Sequence, residues 1–299
     1  MNHFIPSIGQ MSLTTNGVTL FEQILALLSL KMDKPTLYGW YHLLCLALTV
    51  GLCALIILRA KILTDKQLDF TLGAFGITIL VLEIYKQLIF SYNPATDVWS
   101  FQWYAFPFQF CATPMYLLPI VAVVKNEKVR DAIYSFLATY ALFAGTAVMF
   151  YPRDVFISEI GINIQTMVHH GGMVALGVLM YTTGKAKFSH KTILKGLPVF
   201  TIFVTLALIM NVAFKYYGDP NQTFNMFFIS PYYPCTLPVL SMFFGVVPYP
   251  VFLLIYLFGF TLAGYVMLLI AMGSHKLYTI VCEKMLSKKE TSDTADDLI

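Results

Sequence analysis

Cys111 lies in the stretch FPFQFCATPMYLLP, residues 106–119, where a thiol and the amide of Gln109 stand between prolines in an otherwise apolar segment. A cysteine thiolate is a nucleophile for acyl transfer, but an apolar site keeps the thiol protonated unless a base or cation is close. The neighbours His169 and His170, in QTMVHHGG, could supply that base. The pattern therefore indicates cysteine–histidine catalysis. The alternative is that Cys111 is an apolar filler and the histidines are a buried pair that holds helices together.

Four further polar residues in apolar segments are candidate substrate-binding residues. Glu83 and Lys86 stand three positions apart, so on a helix they share a face and can pair. They form either an internal ion pair that orients helices or a functional pair, with Glu83 orienting a histidine and Lys86 binding a lipid phosphate. Gln109, or a backbone N–H near the prolines, is a candidate oxyanion donor. Asn211 is expected to form a hydrogen bond between helices.

The cysteines and the net charge exclude several other classes of site. The five cysteines form no CxxC pair and no cysteine–histidine spacing typical of zinc sites, so no metal, cofactor or disulfide framework is predicted. The net charge of +3 comes from lysines in loops, and there is no basic stripe for nucleic acid. The expected partners are membrane lipids, with a phospholipid or another acyl lipid as substrate.

The composition predicts an all-α membrane protein. Hydrophobic residues make up 58% of the 299 residues and charged residues only 12%, against about 25% charged residues in soluble domains. A membrane helix needs about 20 apolar residues. Seven segments meet this length approximately and predict a seven-transmembrane helix bundle: 37–60, 68–92, 105–124, 132–151, 167–184, 197–218 and 251–274.

The chain divides into three parts around these spans. Residues 1–36 form an N-terminal segment in which VTLFEQILALLSL, 18–30, is too short to span and is predicted to be an interfacial helix. Residues 37–275 form the transmembrane domain, and residues 276–299 form a cytoplasmic tail. The loop 219–250 is aromatic and rich in proline, and it is predicted to dip back into the outer leaflet under a cover of protein.

The loop charges predict the orientation. Lysine and arginine are concentrated in the loops after spans 1, 3 and 5 and in the tail, which places the N-terminus outside and the C-terminus in the cytoplasm of a multi-pass cell-membrane protein. In this orientation the polar residues lie within roughly 15 Å of the outer boundary. Polar groups from several helices at one depth predict a shared pocket in the outer half of the bundle.

Three stretches resemble a known family: FPFQFCATPMYLLPI, YPRDVFISEIGINIQTMVHHGGMVALG and NVAFKYYGDPNQTFNMFFISP, in this order. They resemble the bacterial YwaF-like integral membrane family over about residues 37–275, and that family is distantly similar to the transmembrane protein 164 acyltransferases. In those enzymes an intramembrane cysteine and histidine transfer acyl groups to lysophospholipids through an acyl-enzyme. The resemblance implies Cys111 as nucleophile and His170 as base, with His169 as the other candidate. Gln109 stands where many bacterial relatives have histidine, which removes a candidate second base.

Three classes of function follow from these observations. The first is a membrane-embedded enzyme for lipid acyl transfer or acyl-ester hydrolysis that uses a Cys/His pair in the outer half of the bundle. The second is a non-catalytic seven-span transporter or receptor whose polar pocket binds a small polar ligand. The third is a structural or assembly protein without a ligand. A cysteine sulfur within hydrogen-bond reach of a histidine nitrogen would favour the first class.

Overall fold

The chain folds almost entirely into helices. The structure is a computed structural model that describes residues 19–296, with side chains described up to residue 284. Its α-helices are α1 (Leu20–Leu28), α2 (Trp40–Arg59), α3 (Asp65–Ser91), α4 (Thr113–Val123), α5 (Glu127–Phe136), α6 (Leu142–Phe150), α7 (Ile160–Thr182), α8 (Lys191–Tyr217) and α9 (Tyr249–Asp296). Two short antiparallel strands, β1 (Tyr92–Asn93) and β2 (Val98–Trp99), form a hairpin after α3.

Five helices are long and apolar enough to cross a bilayer: Trp40–Ile62, Asp65–Ser91, Glu127–Phe150, Lys191–Tyr217 and Tyr249–Lys284. They confirm the all-α membrane class within residues 19–284. Two other helices coincide with predicted spans without meeting the same criteria. The apolar helix Phe110–Val123 is shorter, and α7 is long but carries several polar side chains. The count of seven and the orientation stay predictions.

The centre of the bundle is formed by α5, α6 and α7. A π-helical turn, Leu137–Ala141, joins α5 to α6 into one continuous helix. In the most apolar part of this helix, 72% of the residues are buried. A Cβ on Gly145 would lie 2.7 Å from the carbonyl oxygen of His170, so glycine allows α6 to approach α7 closely. By contrast, only 6% of the residues in the most apolar part of α2 are buried. This helix contacts the bundle along one side and leaves its leucines exposed.

The third predicted span, 105–124, is regular helix only in its second part. Its α-helix begins at Thr113, after a 3₁₀ turn over Phe110–Ala112. Pro114 therefore lies in the first turn of α4, where its missing N–H breaks no helical hydrogen bond. The predicted helical span from residue 105 is therefore wrong at its start, because the α-helix begins only at Thr113. The segment before Phe110 instead forms an irregular entry into the bundle, with Cys111 in the turn.

Other predicted boundaries also move. The helix expected over 167–184 begins seven residues earlier, at Ile160, so the two histidines lie well inside it. Helix α9 continues beyond residue 274 to Asp296 and includes much of the segment that was assigned to the tail. The N-terminal helix forms as expected at Leu20–Leu28 and begins with a capping box between Thr19 and Glu22. The first 18 residues lie outside the part of the chain that the structure describes.

Helix α1 is attached to the hairpin by a charged contact. The indole N–H of Trp99 donates to the Glu22 carboxylate at 2.9 Å, and the ring of Phe21 stacks on Trp99. The hydrogen bond from Trp99 holds the pKa of Glu22 below its ordinary value, because the bond stabilises the ionised form. The exposed side chains of Ile24 and Leu28 leave α1 with an apolar surface that suits the membrane interface.

Arg130 fixes the C-terminal end of α4 relative to its neighbours. Its guanidinium donates to the carbonyl oxygens of Val121 at 2.8 Å and Val124 at 3.2 Å, where α4 ends and has no helical donors left for them. It also contacts the carboxylate of Asp69 and the hydroxyl of Tyr134, each at 2.5 Å. Helices α3, α4 and α5 are therefore held together at the end of the bundle opposite to Cys111.

Candidate active site

Glu83 is the centre of a buried polar cluster between α3 and α7. Only 3% of Glu83 is exposed, and its carboxylate contacts three polar side chains. Lys86 lies one turn further along α3 with its Nζ atom 2.5 Å from Oε2. The side-chain amide of Gln165 donates to Oε1 at 2.7 Å, and Nδ1 of His169 lies 3.3 Å from the same oxygen. An isolated carboxylate is unfavourable in an apolar interior, and these three partners compensate for the burial of Glu83.

His169 connects this cluster to the residue Cys111. Its Nε2 atom lies 2.8 Å from the main-chain carbonyl oxygen of Cys111, while Nδ1 faces Glu83. Both neighbours are acceptors, so each contact is a hydrogen bond only when the ring nitrogen concerned carries a hydrogen. A neutral ring can satisfy one contact and an imidazolium can satisfy both. The position of its proton thus decides whether His169 holds the Cys111 main chain or presents a free Nε2 lone pair.

Cys111 is brought to a histidine through its main chain and not through its thiol. Within the described residues, the sulfur makes no hydrogen bond to His169 or His170, and Cys111 is a free cysteine with a partly buried side chain. The 3₁₀ turn that carries it begins at Phe110, whose ring packs edge-on against Phe260 at 4.8 Å. The thiol therefore belongs to a short, well-packed turn at the start of α4, and the main chain of this turn contacts His169.

His170 occupies a different environment from His169. The two rings stack with their centroids 5.3 Å apart, but Nδ1 of His170 lies 2.7 Å from the carbonyl oxygen of Thr166, one turn back in its own helix. A carbonyl only accepts, so Nδ1 carries the hydrogen in this contact and Nε2 is the lone pair of a neutral ring. This Nε2 atom is buried and has no partner among the described residues.

Gln109 and Asn211 hold the loop between α8 and α9. The Gln109 amide donates to the carbonyl oxygen of Asn225 at 3.1 Å and accepts from the N–H of Phe227 at 2.9 Å. Asn211 makes the equivalent pair of bonds to Met226, at 2.9 and 2.7 Å. The polar groups predicted to share one pocket are therefore divided. One set of polar side chains surrounds Glu83. The other set, Gln109 and Asn211, forms hydrogen bonds with main-chain groups of the loop that have no partner within the loop itself.

The loop dips into the bundle and packs against the segment that carries Cys111. Met226, Phe227 and Ile229 have no exposed surface, and the ring of Phe227 packs against Phe110 with centroids 5.8 Å apart. Phe227 and Phe228 both adopt left-handed backbone conformations, with φ of 58° and 56°. Bulky residues rarely adopt this conformation, so the side-chain amides and the buried aromatic packing must stabilise it. The predicted cover of protein over this loop is therefore present in the structure.

Gln165 is the member of the cluster that was not predicted as a candidate site residue, although it lies in the polar stretch QTMVHHGG. It stands four positions before His169, and residues with this spacing lie on the same face of a helix. That spacing could have identified it as a second contact of Glu83. A metal site has no support in the described part of the chain, where no group of three or more histidine, cysteine, aspartate or glutamate side chains could hold an ion.

A model of the TMEM164 family matches residues 37–272. The chain belongs to the TMEM164 family. The matched range includes the Glu83 cluster, the turn of Cys111 and the loop after α8, so the whole site lies inside the family domain. No curated protein and no solved structure matched the chain in the comparisons made. Family membership supports the transmembrane protein 164 part of the predicted resemblance and the assignment to the membrane, while the YwaF-like assignment stays a prediction.

Proposed function

We propose that this member of the TMEM164 family is a seven-span enzyme of the cell membrane that transfers or hydrolyses the acyl groups of lipids, with Cys111 as nucleophile and His169 as general base. The observation that carries the proposal is the connection from Glu83 through the His169 ring to Cys111. A buried carboxylate, a histidine and a cysteine in this order are the parts that nucleophilic catalysis requires. Lipid is the substrate because the site lies among apolar helices.

In the structure Nε2 of His169 faces the Cys111 carbonyl oxygen, so the proposed reaction starts when the Cys111 thiol takes the place of that oxygen at Nε2. The thiol then transfers its proton to Nε2. Glu83 accepts the hydrogen on Nδ1 and stabilises the imidazolium that forms. The thiolate attacks the ester carbonyl of an acyl lipid, the bond to the alcohol oxygen breaks, and His169 returns its proton to that oxygen. The result is a thioester on Cys111 and a lysolipid. In the second half-reaction, the hydroxyl of an acceptor lipid or of water attacks the thioester, and the thiol forms again.

His169 is favoured over His170 as the base because only His169 has a carboxylate partner. In the sequence analysis, His170 was the first choice and His169 the second. A base must hold its lone pair toward the thiol, and Glu83 can fix the His169 ring in the tautomer that does so. His170 keeps its Nδ1 on the Thr166 carbonyl. We propose that His170 supports the packing of α7 against α6.

The remaining predicted site residues are proposed to act indirectly. Lys86 neutralises Glu83 and keeps it ionised, so its role is to position the base. Gln109 and Asn211 hold the loop that covers the Cys111 turn, and since both amides already bond to the loop backbone, the main-chain N–H groups of the 3₁₀ turn are the better oxyanion donors.

A trapped acyl-enzyme tests the proposed function. The purified protein is incubated with a phospholipid that carries an alkyne-tagged acyl chain and is then digested for peptide mass spectrometry. The expected adduct is on the peptide that contains Cys111 and is removed by neutral hydroxylamine, which cleaves thioesters. Cys45→Ala, which removes another cysteine of a membrane helix, should keep the adduct. An equal amount of adduct on the Cys111→Ala variant would contradict the covalent mechanism. It would favour the alternative function, a transporter or receptor that binds a ligand.

The orientation is proposed to have the N-terminus outside, with α9 leading into the cytoplasm. Lys125 and Lys187 lie in loops and Lys128 lies in the first turn of α5, all on the proposed cytoplasmic side. In a background without reactive cysteines, a cysteine at the exposed hairpin position Ala95 should react with an impermeant thiol reagent added to intact cells. Cysteines at Lys128 and Lys187 should react only after the cells are opened. The opposite pattern would place the candidate site in the cytoplasmic half.

A further inference from the structure

A second feature, an apolar groove of about 620 Å³, lies between α2, α3 and α7. Its walls include Leu52 and Leu55 of α2, Phe75 of α3, and Ala175 and Leu176 of α7. Leu52 and Leu55 are 46% and 59% exposed, so the groove opens toward the surrounding lipid along its α2 side. Apart from Arg59 and Thr71, whose hydroxyl donates to the Gln67 carbonyl of its own helix, only apolar residues line the groove. A hydrocarbon chain is the matching occupant.

Gly172 of α7 lines the groove at the end nearest to His169 in the sequence of α7. A Cβ on Gly172 would lie 2.1 Å from the Cζ atom of Phe75, so glycine is what lets the Phe75 ring rest directly on the α7 backbone and close the groove. This closed end lies in the middle of the bundle, three residues along α7 from His169. From there the groove runs toward the end of α2, and the distance from Leu52 to Arg59 is about 10 Å along the helix.

Arg59 stands at the other end of the groove. It is the last residue of α2, lines the groove, and is exposed. Within residues 19–284 it has no carboxylate, hydroxyl or aromatic partner. Two other cations on this side of the bundle do have carboxylate partners: Arg130 contacts Asp69, and Lys185 contacts Asp65 at 2.7 Å. Arg59 is thus a guanidinium at the end of α2 with an apolar groove leading away from it and no neutralising carboxylate among the residues whose side chains the structure describes.

We propose that this groove binds one anionic phospholipid, with its phosphate on Arg59 and one acyl chain between α2, α3 and α7. Arginine binds phosphate through two parallel N–H bonds, and its long stem allows the head group to stay at the boundary. The lipid belongs to the leaflet on the lysine-rich face, away from Cys111. It serves as a bound structural lipid, and its binding does not depend on the acyl transfer proposed above.

Thermal stabilisation by dioleoyl phosphatidylglycerol in maltoside micelles tests the site, because a ligand of the folded state raises the melting temperature. For Arg59→Gln, the phosphatidylglycerol concentration that gives half the effect should rise roughly tenfold, as expected for losing charge-assisted bonds. Lys66→Gln removes an exposed cation on the same face that does not line the groove, and it should behave like the wild type. If both variants lost stabilisation by phosphatidylglycerol equally, the effect would come from general charge attraction, and the proposed site at Arg59 would be wrong.

A second pair of variants tests the acyl chain. Leu55→Trp fills the groove from its exposed rim, whereas Leu58→Trp introduces the same ring at a lipid-facing position of α2 outside the groove. Only the first should weaken stabilisation by phosphatidylglycerol. Inorganic phosphate and glycerol phosphate should not stabilise the protein; stabilisation by either would identify a free-phosphate site instead. Cys111→Ala should retain full lipid binding, so failure of the proposed catalysis and failure of this proposal are distinguishable.

Discussion

Replacing Cys111 with alanine, replacing His169 with asparagine, and making both changes together should reduce acyl transfer to the same residual rate. Each single loss is expected to be about three orders of magnitude or more, and the double variant should be little worse, because a nucleophile and its base act as one unit. The measurement is the initial rate of transfer of a labelled acyl chain between lipids in micelles. Preserved melting temperatures are required, so that the comparison concerns chemistry and not folding.

His170→Asn is the matched control for His169→Asn. It makes the same change one position further along α7, in a histidine that has no carboxylate partner and bonds to its own helix. It should retain most of the acyl-transfer rate. Two results would contradict the assignment: a loss in His170→Asn as large as in His169→Asn, or losses in the Cys111 and His169 variants that multiply in the double variant.

Replacing Glu83 with glutamine should both destabilise the protein and stop catalysis. The variant leaves the Lys86 ammonium without its partner, and removing one member of a buried ion pair typically destabilises a protein by about 3 kcal/mol or more. Adding Lys86→Met should recover most of that stability, because the pair is then removed together. Acyl transfer should stay low in the double variant, because His169 still lacks a carboxylate to orient its ring. Melting temperature and transfer rate are measured on the same preparations.

An exposed ion pair provides the control for this cycle. Lys31 pairs with Glu159 near the start of α7, and its side chain is 67% exposed. Lys31→Met should change the free energy of unfolding by about 1 kcal/mol at most, because water screens exposed pairs. If Glu83→Gln is no more destabilising than Lys31→Met, the Glu83 cluster is hydrated and not buried. If the double variant regains activity, Glu83 has no positioning role.

The elements of the fold were more predictable than the arrangement of the site. Apolar length and loop charges marked each of the main helices, and α3 at Asp65–Ser91 differs little from the predicted 68–92. The start of α4 was missed because a proline in an apolar run fits a kink or a helix start equally well. The depth of each polar residue in the membrane could be estimated from its position in a predicted span. The direction in which its side chain points around the helix axis could not.

This missing direction explains why the polar residues were predicted to share one pocket. Gln109 and Asn211 lie at a depth similar to that of Glu83, yet their amides turn to the loop at Asn225–Phe227. The loop is more than a hundred residues away from Gln109 in sequence, and its left-handed phenylalanines have no sequence signal of their own. The spacing of Gln165 and His169, by contrast, is local, and a helical projection would have grouped them.

The polarity of α7 has a consequence for how the chain enters the bilayer during synthesis. Asn163, Gln165 and two histidines make its insertion as an isolated helix unfavourable, because unpaired polar groups are costly in hydrocarbon. The partners of His169 come from Glu83 and Cys111, both of which precede α7 in the chain. When α7 leaves the ribosome, the groups that contact its polar face have therefore already been made. The order of the helices along the polypeptide allows the Glu83 cluster to assemble as the last of its components arrives.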